Sequence, residues 1–119
     1  GPDFATLVRS ILRRDPDALP RSVRADQALD LLAQGAVLVD VREKDEWRSG
    51  HAPQARHVPL GRLATDARRL PRDAPVVVMC ASGMRSRGAA AQLRGAGYRA
   101  TSLSGGLAAW RTAGGPVTR

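Results

Sequence analysis

Short apolar runs that alternate with helical segments constrain the fold of this 119-residue chain more than any other feature. The clearest run, APVVVMC at 74–80, is rich in β-branched residues and predicts a buried strand. Similar runs predict strands at 36–41, 55–60 and 98–105, with helical segments between them. Strands that alternate with helices form a parallel sheet joined by right-handed crossovers. We therefore predict an α/β fold, with a parallel sheet that carries helices on both faces.

Apolar periodicity and capping residues predict the helices. In the segment SVRADQALDLLAQG, residues 22–35, Ala28, Leu31 and Leu32 share one helical face, and Gly35 suits a C-cap. Four further helices are predicted at 43–50, 62–70, 85–97 and 106–114. Each predicted strand is therefore followed by a helix that can cross over the sheet.

The N-terminal part of the chain is set apart by prolines. Residues 3–14 place apolar side chains at helical spacing, and Pro16 and Pro20 then mark a loop. We expect an N-terminal helical extension, residues 1–20, followed by a single domain, residues 21–119.

Composition narrows the choice of partners and compartment. The net charge is +8, and Lys44 is the only lysine among 19 basic residues. The arginines are scattered and aromatic residues are few, so we favour a solvated basic surface over a nucleic-acid site. No apolar run approaches the roughly 18 residues of a membrane span, so no membrane partner is expected. A single cysteine excludes an intramolecular disulfide, and we expect a cytoplasmic protein.

That cysteine, Cys80, lies at the junction between the clearest strand and the helix that follows it. In parallel sheets, sites form where strands end at the carboxyl edge and helices begin. Ala81, Ser82 and Gly83 are small enough for a tight turn, in which Gly83 can adopt a positive φ without steric cost. The N–H groups of such a turn, the helix N-terminus and the full positive charge of Arg85 would all stabilise a thiolate.

This pattern leaves two interpretations of Cys80 open. A thiolate is the nucleophilic form, so a lowered pKa would make Cys80 reactive; alternatively, Cys80 is a small buried hydrophobic residue at a strand end. His51 and His57 lie well upstream, and we favour a structural role for both. A cysteine–histidine hydrolase stays open, because such pairs meet in space rather than in sequence. The absence of an adjacent base nevertheless suits chemistry in which the thiol needs only a lowered pKa.

Three segments together resemble a known family. VLVDVREKDEWRSGHAPQARHVPL at 37–60 resembles its first signature, CASGMRS at 80–86 its active-site loop, and YRATSLSGGLAAW at 98–110 its closing signature. The chain is on this basis similar to single-domain members of the rhodanese (thiosulfate sulfurtransferase) family, over roughly residues 20–116. The resemblance implies a small parallel sheet of about five strands between helices, in agreement with the pattern above.

The resemblance also implies a reaction. The Cys80 thiolate would take a sulfane sulfur from a small anionic donor such as thiosulfate, release sulfite and carry the sulfur as a persulfide. A thiol, cyanide or a sulfur-accepting protein would then receive the sulfur, and neither a metal nor an organic cofactor is implied. The implied substrate-binding residues are those of the loop, Ala81, Ser82, Gly83, Met84, Arg85 and Ser86. Asp40 and Arg42 either brace this loop or pair to fix a strand end, and we favour the pair.

Two departures from the family pattern and three rival functions need weighing. Ala81 stands where many relatives carry arginine or another polar residue, which leaves the identity of the sulfur donor open, and Gln54 stands in a turn that more usually holds glycine.

Four residues separate Cys80 from Arg85, whereas phosphatases of the related fold have five; we therefore rank phosphatase and arsenate reductase below sulfur transfer. A sulfur-carrier or regulatory binding module is the third alternative.

Overall fold

The computed structural model describes Phe4 and residues 19–119 of the chain. Five parallel strands form one sheet in the order β1-β5-β4-β2-β3. The strands are β1 (Ser22–Val23), β2 (Val37–Asp40), β3 (Arg56–His57), β4 (Val76–Met79) and β5 (Ala100–Leu103). The helices are α1 (Ala25–Ala33), α2 (Lys44–Ser49), α3 (Leu63–Asp66), α4 (Met84–Gly95) and α5 (Gly106–Thr112), and 3-10 turns at Leu60–Arg62 and Ala67–Arg69 flank α3. The predicted α/β fold is confirmed.

Helices cover both faces of the sheet, so the central strand β4 is buried on both sides. Val76 and Val78 pack in one apolar cluster with residues of α3 and α4. Val77 and Met79 point to the opposite face and pack with residues of α1 and α5, including the fully buried Trp110. This alternation follows from the two-residue period of a strand and explains why β4 is a continuous apolar run.

Two helical predictions are wrong in part. Ser22–Val23, which we assigned to the helix at 22–35, forms β1 at the edge of the sheet, where it pairs with β5. The helix predicted at 62–70 is a single α-turn between two 3-10 turns. Ala67 and Leu70 are three residues apart and both buried, and a 3-10 turn brings residues at this spacing onto one side.

The helix predicted over residues 3–14 lies outside the described residues, apart from Phe4, which packs against the cluster on the α1 side of the sheet. Among the residues that the structure describes, no helix has both the length and the apolar character needed to cross a membrane.

Candidate active site

The site lies at the carboxyl edge of the sheet, between β2 and β4. The chain leaves β2 towards β3 on one side and leaves β4 towards β5 on the other, so these neighbouring strands form the topological switch point of the fold. Ligands of open α/β sheets bind at this position. Cys80 follows the last residue of β4, and the loop after it leads directly into α4.

A glycine in the left-handed backbone conformation turns this loop back over the sulfur. Gly83 has a φ of +101° and caps α4, which begins at Met84. A residue with a Cβ atom is strained in this conformation, and the Cβ of any substitution would lie 3.1 Å from the Gly105 backbone nitrogen. The positive φ predicted for Gly83 is confirmed.

The loop directs hydrogen-bond donors at the Cys80 sulfur. The Gly83 N–H lies 3.1 Å from Sγ, and the Ser86 N–H lies 3.3 Å from it. The thiol in turn donates to Ser86 Oγ, 3.4 Å away. Cys80 itself is 0% exposed and belongs to the apolar cluster on the α4 side. The sulfur is therefore buried, but the loop closes over it with polar groups facing inward.

These contacts decide the direction of the thiol pKa. Burial raises the pKa of the Cys80 thiol, because it disfavours the charged form. Hydrogen bonds from the Ser86 hydroxyl and from the backbone N–H groups of Ser86, Gly83 and Ser82 outweigh burial and hold the pKa below that of an ordinary thiol. Thiolate stabilisation comes chiefly from the loop itself.

Arg85 differs from our expectation of a cation free to act on the thiol. Its guanidinium forms two hydrogen bonds with the Glu46 carboxylate of α2, at 2.7 and 2.8 Å. Both side chains are about one-third exposed, at 35% and 32%. The pair lowers the pKa of Glu46 to about 2, chiefly through these hydrogen bonds, and raises the pKa of Arg85. Arg85 still attracts a Cys80 thiolate, but most of its charge is compensated by Glu46.

The remaining loop side chains face outward. Ala81 and Ser82 are exposed, and Met84, at 74% exposure, is the only large hydrophobic side chain exposed among the described residues. Ser86 is fully buried within the first turn of α4, and its hydroxyl also donates to Gly83 O at 3.2 Å. Of the six loop residues singled out from the sequence, Gly83 and Ser86 direct their N–H groups at the sulfur at 3.1 and 3.3 Å, and the Ser82 N–H also acts on it.

Asp40 and Arg42 form a buried ion pair at the end of β2. Arg42 Nη2 lies 2.8 Å from Asp40 Oδ2, and the same guanidinium donates to the carbonyl oxygens of Glu46 and Gly50. The pair therefore ties the strand end to the middle of α2 and to its C-cap, and through α2 it supports the Glu46 carboxylate that holds Arg85. Neither side chain hydrogen-bonds to Cys80.

Both histidines lie in a ring stack away from the sulfur. Trp47 stacks with both His51 and His57, with ring centroids 3.7 and 4.5 Å apart, respectively. His51 Nδ1 is hydrogen-bonded to Trp47 O, and His57 Nε2 to Arg42 O. Within the described part of the chain no histidine is hydrogen-bonded to Cys80, so the site is not a cysteine–histidine pair.

Sequence reasoning missed three residues of this neighbourhood. Glu46 could have been suspected only as one of several acids in its helix. Ser102 of β5 and Gly106 both lie within the closing signature at 98–110, but nothing in the sequence singled out either one. The Cβ of any residue at 106 would lie 2.2 Å from Ala81 O, so the backbone of the loop rests directly on Gly106. No group of three or more His, Cys, Asp or Glu side chains able to hold a metal occurs among residues 19–119 and Phe4.

Comparisons with known proteins show which proteins this chain resembles. A family model for the rhodanese-like domain matches residues 24–113. The thiosulfate sulfurtransferase GlpE of Pseudomonas entomophila is 38% identical over 93 residues, which span 77% of this chain and 85% of that relative.

Solved structures share the fold. A rhodanese-related protein from Thermoplasma volcanium superposes with a TM-score of 0.76 and 29% identity, covering 83% of this chain and 98% of that one. A protein of unknown function from Rhodopseudomonas palustris, described as a possible tyrosine phosphatase, superposes with a TM-score of 0.71 and 26% identity, covering 93% of both chains.

Proposed function

The chain belongs to the rhodanese-like domain family, and from this membership we propose that it is a sulfurtransferase that carries sulfur as a persulfide on Cys80. One observation carries the proposal: the Gly83 and Ser86 N–H groups point at a single buried sulfur, beside the Ser86 hydroxyl, which accepts from the neutral thiol and can donate to the thiolate. Hydrogen-bond donors arranged in this way stabilise negative charge on sulfur, so no general base is needed to form the thiolate.

In the first half-reaction, the Cys80 thiolate attacks the outer sulfur of thiosulfate. A bond forms between Sγ and that sulfur, the sulfur–sulfur bond of thiosulfate breaks, and its electron pair leaves with sulfite. The second sulfur would lie about 2.05 Å from Sγ. The first N–H groups of a helix have no intrahelical partner, so those of Met84 and Arg85 are available to it.

In the second half-reaction, a thiolate or cyanide attacks the terminal sulfur of the persulfide. The bond between the two sulfurs breaks, and its electron pair returns to Sγ, which regenerates the thiolate without any external oxidant or reductant. A thiol on a sulfur-accepting protein would react in the same way as a small thiol. No metal or organic cofactor takes part in either step.

Access to the sulfur requires the loop to move. Cys80 is 0% exposed, so a donor can reach Sγ only when the loop opens around it. The Ala81, Ser82 and Met84 side chains face solvent, so opening the loop there leaves few buried side chains to expose, although the Ala81 backbone must leave Gly106. We therefore expect small donors to load Cys80 faster than bulky ones.

Phosphatase chemistry is disfavoured by the size of the loop. Four residues separate Cys80 from Arg85, and two amides already lie 3.1 and 3.3 Å from Sγ. A tetrahedral phosphate needs a wider ring of donors than a single sulfur atom does. In addition, Glu46 occupies the Arg85 guanidinium that would otherwise bind phosphate oxygens.

Intact mass spectrometry tests the proposal. Incubation with thiosulfate should add the mass of one sulfur to the protein, and later addition of cyanide should remove it. The Cys80→Ala variant should gain nothing. An unmodified wild-type mass with thiosulfate and with organic persulfide donors would refute sulfur transfer, and Cys80-dependent hydrolysis of an aryl phosphate would favour a phosphatase instead.

We also propose the cytoplasm as the site of this chemistry, because a lone thiol stays reduced there. The division into an extension at residues 1–20 and a domain at 21–119 remains part of the proposal, with the domain carrying the whole site.

A further inference from the structure

A buried hydroxyl behind the catalytic loop completes a hydrogen-bond chain to the sulfur. Ser102 lies on β5, opposite Val78 of β4 in the sheet register, and is 0% exposed. Its Oγ lies 2.7 Å from Ser86 Oγ, which in turn lies 3.4 Å from Cys80 Sγ. Within the described part of the chain, Ser86 Oγ is the sole side-chain partner of the Ser102 hydroxyl.

The number of protons sets the direction of this chain. A serine hydroxyl has one proton and two lone pairs. The Ser86 proton can reach Gly83 O, 3.2 Å away, or the sulfur, whereas the Ser102 proton can reach only Ser86 Oγ. If Ser86 donated to Ser102, the Ser102 proton would be buried without a partner, which is unfavourable. Ser102 is therefore the donor and Ser86 the acceptor.

We propose that Ser102 is a positioning residue that holds the Ser86 proton ready for the Cys80 thiolate. With a neutral thiol, Ser86 Oγ accepts from both Cys80 and Ser102 and donates to Gly83 O. When the thiol proton leaves to solvent, the Ser86 hydroxyl turns its own proton from Gly83 O to the sulfur. Ser102 remains the donor to Ser86 in both states, so the Ser86 proton never turns away towards β5.

This role deepens the proposed sulfur transfer, because it concerns how the nucleophile of that reaction is kept ionised. A donor to Ser86 Oγ polarises the Ser86 O–H bond and strengthens its hydrogen bond to the thiolate. Loss of the Ser102 hydroxyl should therefore raise the pKa of Cys80. We expect the thiolate fraction at slightly acidic pH to fall about three- to tenfold, as for loss of one buried neutral hydrogen bond.

The test is a pH titration of thiolate absorbance in the ultraviolet, which needs no reagent to enter the loop. Cys80 is the only cysteine, so subtraction of the Cys80→Ala titration isolates its signal. Ser102→Ala should titrate at higher pH than the wild type, and Ser102→Thr should restore the wild-type curve because it retains the hydroxyl.

The chain offers a matched control on the same strand. Thr101 is also buried, points to the opposite face, and its hydroxyl has no hydrogen-bond partner among the described residues. Thr101→Val removes a buried hydroxyl without touching the chain to the sulfur, so its titration should match the wild type. An equal shift in Thr101→Val and Ser102→Ala would mean that the effect is a general consequence of altering β5.

A double-mutant cycle tests whether Ser102 acts through Ser86. Ser86→Ala should raise the pKa of Cys80 more than Ser102→Ala does, and adding Ser102→Ala to Ser86→Ala should change nothing further. Coincident titrations of wild type and Ser102→Ala, or additive shifts in the double variant, would overturn the inference. The titration uses no sulfur donor, so failure to form a persulfide would refute the proposed function while leaving this result intact.

Discussion

At Gly106, one added methyl group should displace the loop around Cys80 while leaving the cysteine itself unchanged. The residue begins α5 and has a φ of +61°. The next residue, Leu107, donates its N–H to Cys80 O at 3.0 Å, which anchors the base of the loop to the start of α5. In Gly106→Ala, the new Cβ would lie 2.2 Å from Ala81 O and 2.5 Å from Cys80 O.

The structure sets the size of the expected effect. Real Cβ contacts essentially never fall below 3.0 Å, so the start of α5 and the Ala81 carbonyl must separate by at least 0.8 Å. Because the clashing atoms belong to the backbone, no side-chain rotation can relieve the contact. The left-handed conformation costs alanine about 1–2 kcal/mol, and overpacking adds about 1–3 kcal/mol. We expect Gly106→Ala to lose about 2–5 kcal/mol of unfolding free energy, and a displacement near 1 Å to slow sulfur loading about 100-fold.

Two measurements on the same preparation test this expectation. Urea unfolding followed by tryptophan fluorescence gives the loss of stability, since Trp110 is fully buried in the core. The rate of sulfur addition from thiosulfate, read by intact mass, gives the loss of function. Gly88→Ala is the matched control: Gly88 lies within α4, and apart from its chain neighbours and the backbone of its own helix no heavy atom lies within 4 Å of its added Cβ. That variant should gain about 0.5–1 kcal/mol, the usual helical preference for alanine.

The reasoning is refuted if Gly106→Ala unfolds at the wild-type urea concentration and loads sulfur at the wild-type rate. A variant that is destabilised but still loads at the wild-type rate when folded would show that Gly106 supports the fold without setting the geometry of the loop.

Two further predictions concern ion pairs. Glu46→Gln should cost about 1 kcal/mol at neutral pH, since its pair with Arg85 is partly exposed. The folded pKa of Glu46 is about 2, below its unfolded value, so the stability that the carboxylate contributes is lost as pH falls. In urea unfolding, the difference in unfolding free energy between wild type and Glu46→Gln should therefore vanish as pH falls from about 4.5 towards 2. Asp45→Asn makes the same charge change without an ion pair among the described residues, and should show no such trend. Asp40→Ala should lower the unfolding free energy by about 3–5 kcal/mol, because it leaves Arg42 buried and without its carboxylate. Arg62→Ala, which breaks the exposed Arg62–Asp66 pair, should lower it by less than about 1 kcal/mol. Similar losses from the two variants would contradict this account.

The groups that stabilise the Cys80 thiolate bear on which sulfur donor the site would use. The loop carries one cationic side chain, Arg85, and Glu46 compensates it, while backbone N–H groups and the Ser86 hydroxyl act on the sulfur. These hydrogen-bond donors stabilise charge on the sulfur itself rather than on the distant oxygens of a large anion. Ala81 likewise has no polar side-chain group that could contact such oxygens. Both features suit a site that selects for the sulfur atom transferred.

The sequence by itself determined the architecture and the place in the fold of the cysteine that we propose as the nucleophile. The apolar run of β4 could be satisfied only by burial on both faces, which requires a parallel sheet between helices. The position of Cys80 after that strand placed it at the carboxyl edge, and Gly83 supplied the left-handed turn that closes the loop. Each of these features depends on neighbours within a few residues, so local pattern suffices to predict it.

Only the tertiary structure decided which groups surround the sulfur. Glu46 meets Arg85 across 39 residues because β2 and β4 are adjacent in the sheet, although β3 lies between them in the chain. Ser102 reaches Ser86 because β5 pairs with β4 on its other side, in a register that brings it opposite Val78. The two-residue strand β1 forms only because β5 offers it an edge. Strand order and register arise from the packing of the whole core, and no local pattern in the sequence encodes them.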